Sequence, residues 1–221
     1  MTLPTSPAAC ATRLTPAPGC LASAEIEEKR SRFITALAYV SDESAARSLV
    51  AAARSIYPDA RHHCSAFILP GQGAVSIERS SDDGEPAGTA GIPMLGTLRG
   101  AGLTNVAAVV TRYFGGTLLG RGGLVRAYAE AVEAALAQTP VVTWGQLRRA
   151  SLAVPHAVAG RLEADLRARG IEVTGTEYGA QATLHVAVAP ERASFFTDLV
   201  ASLSAGELSP TWGETDWVRL D

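Results

Sequence analysis

Asn105–Gln138 reads NVAAVVTRYFGGTLLGRGGLVRAYAEAVEAALAQ, and this stretch decides the fold. Its first eight residues, Asn105–Arg112, are a nearly unbroken Val/Ala run, the pattern of a strand buried on both faces. Five glycines follow among residues 115–123. Beyond them Leu124, Tyr128, Ala131, Ala135 and Leu136 recur at helical spacing, which predicts a helix with one apolar face to about Gln138. A strand, a glycine-rich turn and a helix in that order place a flexible backbone at the start of a helix. There the free N–H groups and about half a positive charge favour an anion.

Working outward, Ser31–Val40 (SRFITALAYV) predicts a strand apolar on both faces. Ser41 or Asp42 can cap a helix with the stripe Ala45, Leu49, Ala53 and Ile56, which Pro58 ends. His62–Leu69 and Ala74–Arg79 read as a hairpin across Pro70–Gly73. The polar loop Ser80–Gly91 and a short helix at Ile92–Leu98 complete the order βαββαβα. Past Thr139-Pro140 the pattern restarts. Strand Arg148–Val154, helix His156–Arg169, strands Ile171–Glu177 and Gln181–Ala189, helix Glu191–Ser204 and a strand near Asp216–Leu220 give βαββαβ, a split unit of ferredoxin-like order. The expectation is an α+β chain of two domains, 25–140 and 141–221, behind a flexible tail over residues 1–24 rich in Ala, Pro, Thr and Ser.

The chain has 221 residues, 47% of them hydrophobic, which is enough to bury two cores and excludes wholesale disorder. Nineteen basic against 22 acidic residues give a net charge of −3, which excludes a generic polyanion binder and leaves only a local patch. By sequence position the first domain is neutral and the second acidic, so an anion site belongs to the first. Lys29 is the only lysine; the other bases are arginine, which suits planar phosphate recognition. Three cysteines, Cys10, Cys20 and Cys64, form no CxxC pair and no disulfide framework, which points to a reducing compartment. There is no basic N-terminal signal and no long apolar run, so the expectation is a cytoplasmic protein with no membrane partner.

Two segments carry chemistry. In Ser81–Gly91 (SDDGEPAGTAG), Asp82, Asp83 and Glu85 crowd three carboxylates into four residues and need donors around them. In Arg112–Tyr128 (RYFGGTLLGRGGLVRAY), the expected phosphate-binding residues are Arg112, Tyr113, Gly115, Gly116, Gly120, Arg121, Gly122, Gly123 and Arg126. Arg121-Gly122 stands where a Walker A loop requires Lys-Ser/Thr, and the spacing is not GxGxxG, so neither nucleotide fingerprint applies. Tyr113 and Phe114 offer rings for a base, although the end of a buried strand also needs one in its core. His62 and His63 point to opposite strand faces, and one can approach the acidic loop. Cys64 shares the face of His62 and reads as core. No spacing supports a metal site. Equally open at this level is a purely architectural role, with the glycines allowing close packing and the arginines pairing with Asp82, Asp83 or Glu85.

DDGEPAGTAG (Asp82–Gly91) and VVTRYFGGTLLGRGGLVRAY (Val109–Tyr128), preceded by DARHHCSAF (Asp59–Phe67), resemble the signature of the IMPACT/YigZ family over about residues 25–205. Its hallmark positions are matched by His62, Asp82, Asp83, Gly84, Glu85, Pro86, Gly88, Thr89, Gly91, Arg112, Gly115, Gly116, Gly120, Gly122, Gly123 and Arg126. The resemblance implies a ribosomal-protein-S5 domain-2-like domain, then a ferredoxin-like domain similar to the last domain of elongation factor G. It also implies a translation-linked role with RNA, the ribosome or a translation factor as partner and no cofactor. The eukaryotic members' partner competition depends substantially on an extra N-terminal RWD domain; about 24 low-complexity residues stand in that place in this sequence, so that partner is not expected here. The rival reading is an enzyme acting on a phosphorylated or nucleotide substrate. There Asp82 or Asp83 would hold Mg²⁺ or act as base, with Glu85 completing the acidic set and His62 assisting as acid/base. A third is a protein–protein adaptor using the acidic second domain. The sequence does not fix the oligomeric state.

Overall fold

The computed structural model describes residues 10–71 and 75–220. The chain divides into two compact units, one of Arg13–Val142 and one of Thr143 onward together with the residues just before Arg13. Each is a mixed α/β unit, as the sequence leads one to expect.

The first unit runs β1 (Thr12–Pro16), β2 (Leu21–Glu28), β3 (Ser31–Tyr39), α1 (Glu43–Ile56), β4 (His62–Pro70), β5 (Ser76–Ser81), α2 (Gly91–Gly100), β6 (Val106–Tyr113) and α3 (Gly120–Leu136). Strands β2-β3-β6-β4-β5 form an antiparallel sheet with β6 at its centre. That position explains the Val/Ala run: a central strand covered on both faces has no polar side to show. Val106, Ala108 and Val110 join Phe33, Leu37, Met94, Leu98 and Tyr128 in the core beneath α2 and α3. Ala107 turns to the other face and packs with Val40, Ala46 and Leu69 beneath α1. Phe33, Leu37, Met94, Leu98 and Tyr128 are fully buried, each contributing about 1.5–3 kcal/mol by leaving water. The Asp42 carboxylate caps α1, accepting from the Ala45 N–H at 2.9 Å. The expected stripe of α1 packs inward at Ala45, Leu49 and Ala53, with Ala46 buried beside them, and departs only at Ile56, which is exposed.

A flexible tail over residues 1–24 is not what the described part shows. Thr12–Pro16 and Leu21–Glu28 are strands, and regular structure begins well before Glu25. In β2 the small residues Ala22 and Ala24 and then Ile26 alternate toward the core against Leu21, Ser23 and Glu25. An edge strand needs to cover only one face, and β3 supplies its ladder, so low overall hydrophobicity does not prevent ordering. Residues 1–9, part of the expected tail, lie outside the described residues, as do 72–74 of the expected β4–β5 turn.

The second unit runs β7 (Val141–Val154), α4 (His156–Ala168), β8 (Glu172–Tyr178), β9 (Ala182–Val188), α5 (Ala193–Leu203) and β10 (Thr211–Arg219). Its antiparallel strand order is β10-β7-β9-β8, with Leu152, Leu166, Leu184, Phe196 and Val200 at the centre of the core. No helix among the described residues is long and apolar enough to cross a membrane.

Candidate functional site

The carboxylates of the acidic loop turn inward, each to a separate task. Asp82 accepts from the N–H groups of Gly88 at 2.8 Å, Ala90 at 3.0 Å and Gly91 at 2.9 Å. The last two lie at the start of α2, whose own N-cap Ala90 has no side chain to offer, so Asp82 caps that helix from eight residues away. Burial pushes the Asp82 carboxyl up, but the three N–H donors outweigh it and hold the group below the usual carboxylate range. Asp83 accepts from the His63 N–H at 2.7 Å and pairs with Arg54. Burial again opposes its charge, and these donors again keep its carboxyl below the ordinary value.

Glu85 forms the centre of a buried network. Its Oε1 receives Arg112 Nη1 at 2.6 Å and the Tyr128 hydroxyl at 2.8 Å, and both partners of the ion pair are almost fully buried. The Cys64 thiol lies 3.3 Å from the Tyr128 hydroxyl and 3.0 Å from the Asp82 carbonyl. Burial pushes Cys64 up to about 12 and raises Tyr128 also, so at neutral pH both are uncharged donors. Strand pairing brings these groups together: β4 and β6 place Cys64 beside Val110 and His62 beside Arg112, and α3 carries Tyr128 across the same face. His62 Nδ1 donates to the Asp83 carbonyl at 2.9 Å. On the opposite face His63 is buried, with Nδ1 3.0 Å from Thr111 Oγ1. Burial, then Arg54, holds its ring below the usual histidine range.

The glycine-rich loop faces solvent. Between β6 and α3 the loop exposes Phe114, Gly116 and Leu118, and α3 then opens on exposed Gly120, Arg121 and Gly122. The α3 N-cap, Leu119, makes no side-chain cap bond, and the first turn holds no acidic residue. Arg121 Nη2 donates to the Ala87 carbonyl at 2.9 Å, tying the two loops together, and Arg126 is exposed and makes no ion pair among the described residues.

Beside this loop stands a feature that motif reading missed, the tip of the β2–β3 hairpin. Glu28 pairs with Ser31, so the turn is the dipeptide Lys29-Arg30, both exposed and both left-handed (φ 48° and 64°). Such a two-residue turn favours Asn-Gly, and each ordinary side chain there costs on the order of 1 kcal/mol. Gly115 lies directly on this tip: a Cβ there would fall 2.0 Å from the Arg30 carbonyl carbon. The Gly115 N–H donates to Ser31 Oγ at 3.1 Å, and Arg30 Nη2 to Thr117 Oγ1 at 3.1 Å. The available signal was the sole lysine of the chain beside an arginine, breaking an acidic run at Glu25–Glu28.

The structure therefore separates the predicted residues. Arg112, expected on a phosphate, lies inside with its charge met by Glu85. Tyr113 points away, to the sheet face opposite Arg112, where the Arg32 guanidinium lies 5.7 Å from its ring centre. Gly115 is packed against backbone, while Gly116, Gly120, Arg121, Gly122 and Arg126 are exposed and Gly123 is half-buried. Asp82, Asp83, Glu85 and His62, the candidates for catalysis, each hold a neighbouring element in place.

Comparison with known proteins matches residues 29–136 to the Impact N-terminal domain and residues 152–207 to a domain of unknown function, DUF1949. The chain is 40% identical to IMPACT family member YigZ of Escherichia coli (strain K12) over 182 residues, covering 82% of this chain and 89% of that protein. It is 34% identical to IMPACT family member YvyE of Bacillus subtilis (strain 168), covering 88% and 89%. A solved crystal structure of a hypothetical protein aligns with a TM-score of 0.59 at 38% identity, covering 92% of this chain and 98% of that one.

Proposed function

This chain belongs to the IMPACT family, and from that premise we propose that it is a cytoplasmic, RNA- or ribosome-associated regulator of translation that holds phosphate on its glycine-rich loop. The family resemblance supports the translation-linked role, and the geometry supports the phosphate site. The observation that carries it is the exposed ridge of the uncapped α3 N-terminus, the glycine loop and the strained Lys29-Arg30 tip. Together these present Lys29, Arg30, Arg121 and Arg126, while Asp82, Asp83 and Glu85 of the adjoining acidic loop turn inward. In the same reading the first unit is ribosomal-protein-S5 domain-2-like. The second is ferredoxin-like, supported by its βαββαβ order and its β10-β7-β9-β8 sheet.

An Mg²⁺-dependent phosphoryl enzyme would require Asp82 or Asp83 to give up the backbone and arginine donors that stabilise α2 and β4. Surface hollows of about 620 and 580 Å³ lie on the β7–β9 sheet and between α2 and α3, and neither is lined by the acidic or glycine-rich loop. No observation favours the enzyme over the RNA reading.

The test is the salt dependence of RNA binding, read by fluorescence anisotropy. Wild type is expected to bind a short single-stranded RNA with an affinity that falls steeply with salt. Arg121→Gln and Arg126→Gln should each flatten the log–log slope by about 0.7, the value for one single-strand phosphate contact. Unchanged slopes in both variants would remove the ridge as the phosphate site.

A further inference from the structure

Phe114 is the first residue after β6, and its side chain has no place in the core: it is 53% exposed. The Arg112 guanidinium lies 5.7 Å from the Phe114 ring centre and 5.4 Å from that of Phe33, so Phe114 rests against a fixed planar cation instead of hanging free. That cation is itself immobile, nine-tenths buried and clamped by Glu85, and its Nε finds no partner among the described residues. Leu118, 82% exposed, lies four residues further along the same loop, and α3 opens two residues after it. A half-exposed aromatic ring, backed on one side and only a few residues from anion-binding N–H groups, has the composition of a base-stacking platform beside a phosphate seat.

We propose that Phe114 stacks an unpaired base, so that the site takes single-stranded nucleic acid in preference to duplex. This rests on the phosphate reading above and makes it specific. A duplex buries its base faces against one another and offers Phe114 nothing to stack on, whereas an unpaired nucleotide presents one face to the ring while its phosphate reaches the α3 N-terminus. Charge points the same way. Only four exposed basic residues stand on the ridge of a chain of net charge −3, so few phosphates can be neutralised and a non-ionic contribution has to supply part of the affinity. The platform role also passes from Tyr113, which faces the other side of the sheet, to its neighbour.

The experiment compares three probes on the full-length chain: a short oligouridylate, a ribose-phosphate oligomer of the same length lacking bases, and a duplex RNA. Wild type is expected to prefer the oligouridylate over the base-less oligomer by roughly ten-fold, within the range of one stacked base. Phe114→Leu should erase that preference while leaving affinity for the base-less oligomer as in wild type, which also shows that the ridge is intact. Phe114→Trp should keep it. Equal, salt-sensitive binding of all three probes by wild type would overturn the stacking proposal and leave the phosphate site standing. So would an unchanged preference in Phe114→Leu, which would leave the ring as an apolar contact for a protein. Absence of binding to any probe would overturn the phosphate site and this proposal with it.

Discussion

Glu85→Ala will destabilise the first unit by about 3–5 kcal/mol, the cost of leaving the Arg112 charge buried without its partner. The effect is large because Glu85 Oε1 serves two groups at once: the variant strands the guanidinium and also deprives the Tyr128 hydroxyl of its acceptor. Arg112 has little in reserve, since Nη2 lies a long 3.4 Å from Ser31 Oγ and Nε has no partner among the described residues. Replacing both ends, Glu85→Met with Arg112→Met, should cost much less than the sum of the single changes, because apolar groups of similar size need no desolvated charge. Hydrogen exchange at the β6 amides is the suitable readout, since it follows opening of the first unit and not of the second. A loss below about 1 kcal/mol in Glu85→Ala would mean that water reaches Arg112 and that the network is not a buried one.

Gly115→Ala is the other severe change. The added methyl would lie 2.0 Å from the Arg30 carbonyl carbon, 2.1 Å from its oxygen and 2.4 Å from the Ser31 nitrogen, all of them backbone atoms that cannot swing aside. Either the hairpin tip or the glycine loop must move, at about 3 kcal/mol or more. The Gly115 N–H bond to Ser31 goes with it, and the Lys29-Arg30 tip loses its position beside α3. RNA affinity is therefore expected to fall at least ten-fold together with the melting temperature. Gly122→Ala is the control, because nothing lies within 4 Å of a Cβ there and alanine is the better helix former by up to about 1 kcal/mol. If both alanine variants melt like wild type, the contact between hairpin tip and loop is not a tight one.

The strands and helices whose apolar pattern is dense were legible in the sequence. NVAAVVTR could only be a buried strand, and the helix after it shows its face in Leu124, Tyr128, Ala131 and Ala135, all buried. β2 was hidden because its core-facing residues are mostly alanines set in an Ala/Thr/Ser-rich stretch. Its alternation becomes informative only once β3 is known to lie beside it. The two loops of the site stood out by composition, yet composition does not say which way a carboxylate turns. Asp82 is fixed by the start of α2, eight residues away, and Glu85 by Arg112, 27 residues away. Tyr113 and Phe114 both stood open as exposed rings, because composition does not say where β6 ends; Tyr113 is its last residue and faces away from Arg112, and Phe114 follows it. No motif marks the Lys29-Arg30 tip, because its residues are the wrong ones for its turn.

That mismatch gives the most direct test of the central claim, that the ridge is kept for binding an anionic polymer at a cost in stability. Lys29→Asn with Arg30→Gly gives the left-handed turn the residues it favours and keeps the Arg30 backbone on which Gly115 rests. The melting temperature and the affinity for single-stranded RNA are then measured on the same samples. The account predicts that they move in opposite directions: stability rises by about 1–2 kcal/mol as the strain is relieved, while affinity falls several-fold with the loss of two exposed charges. A double variant that is more stable and binds RNA as tightly as wild type would contradict it.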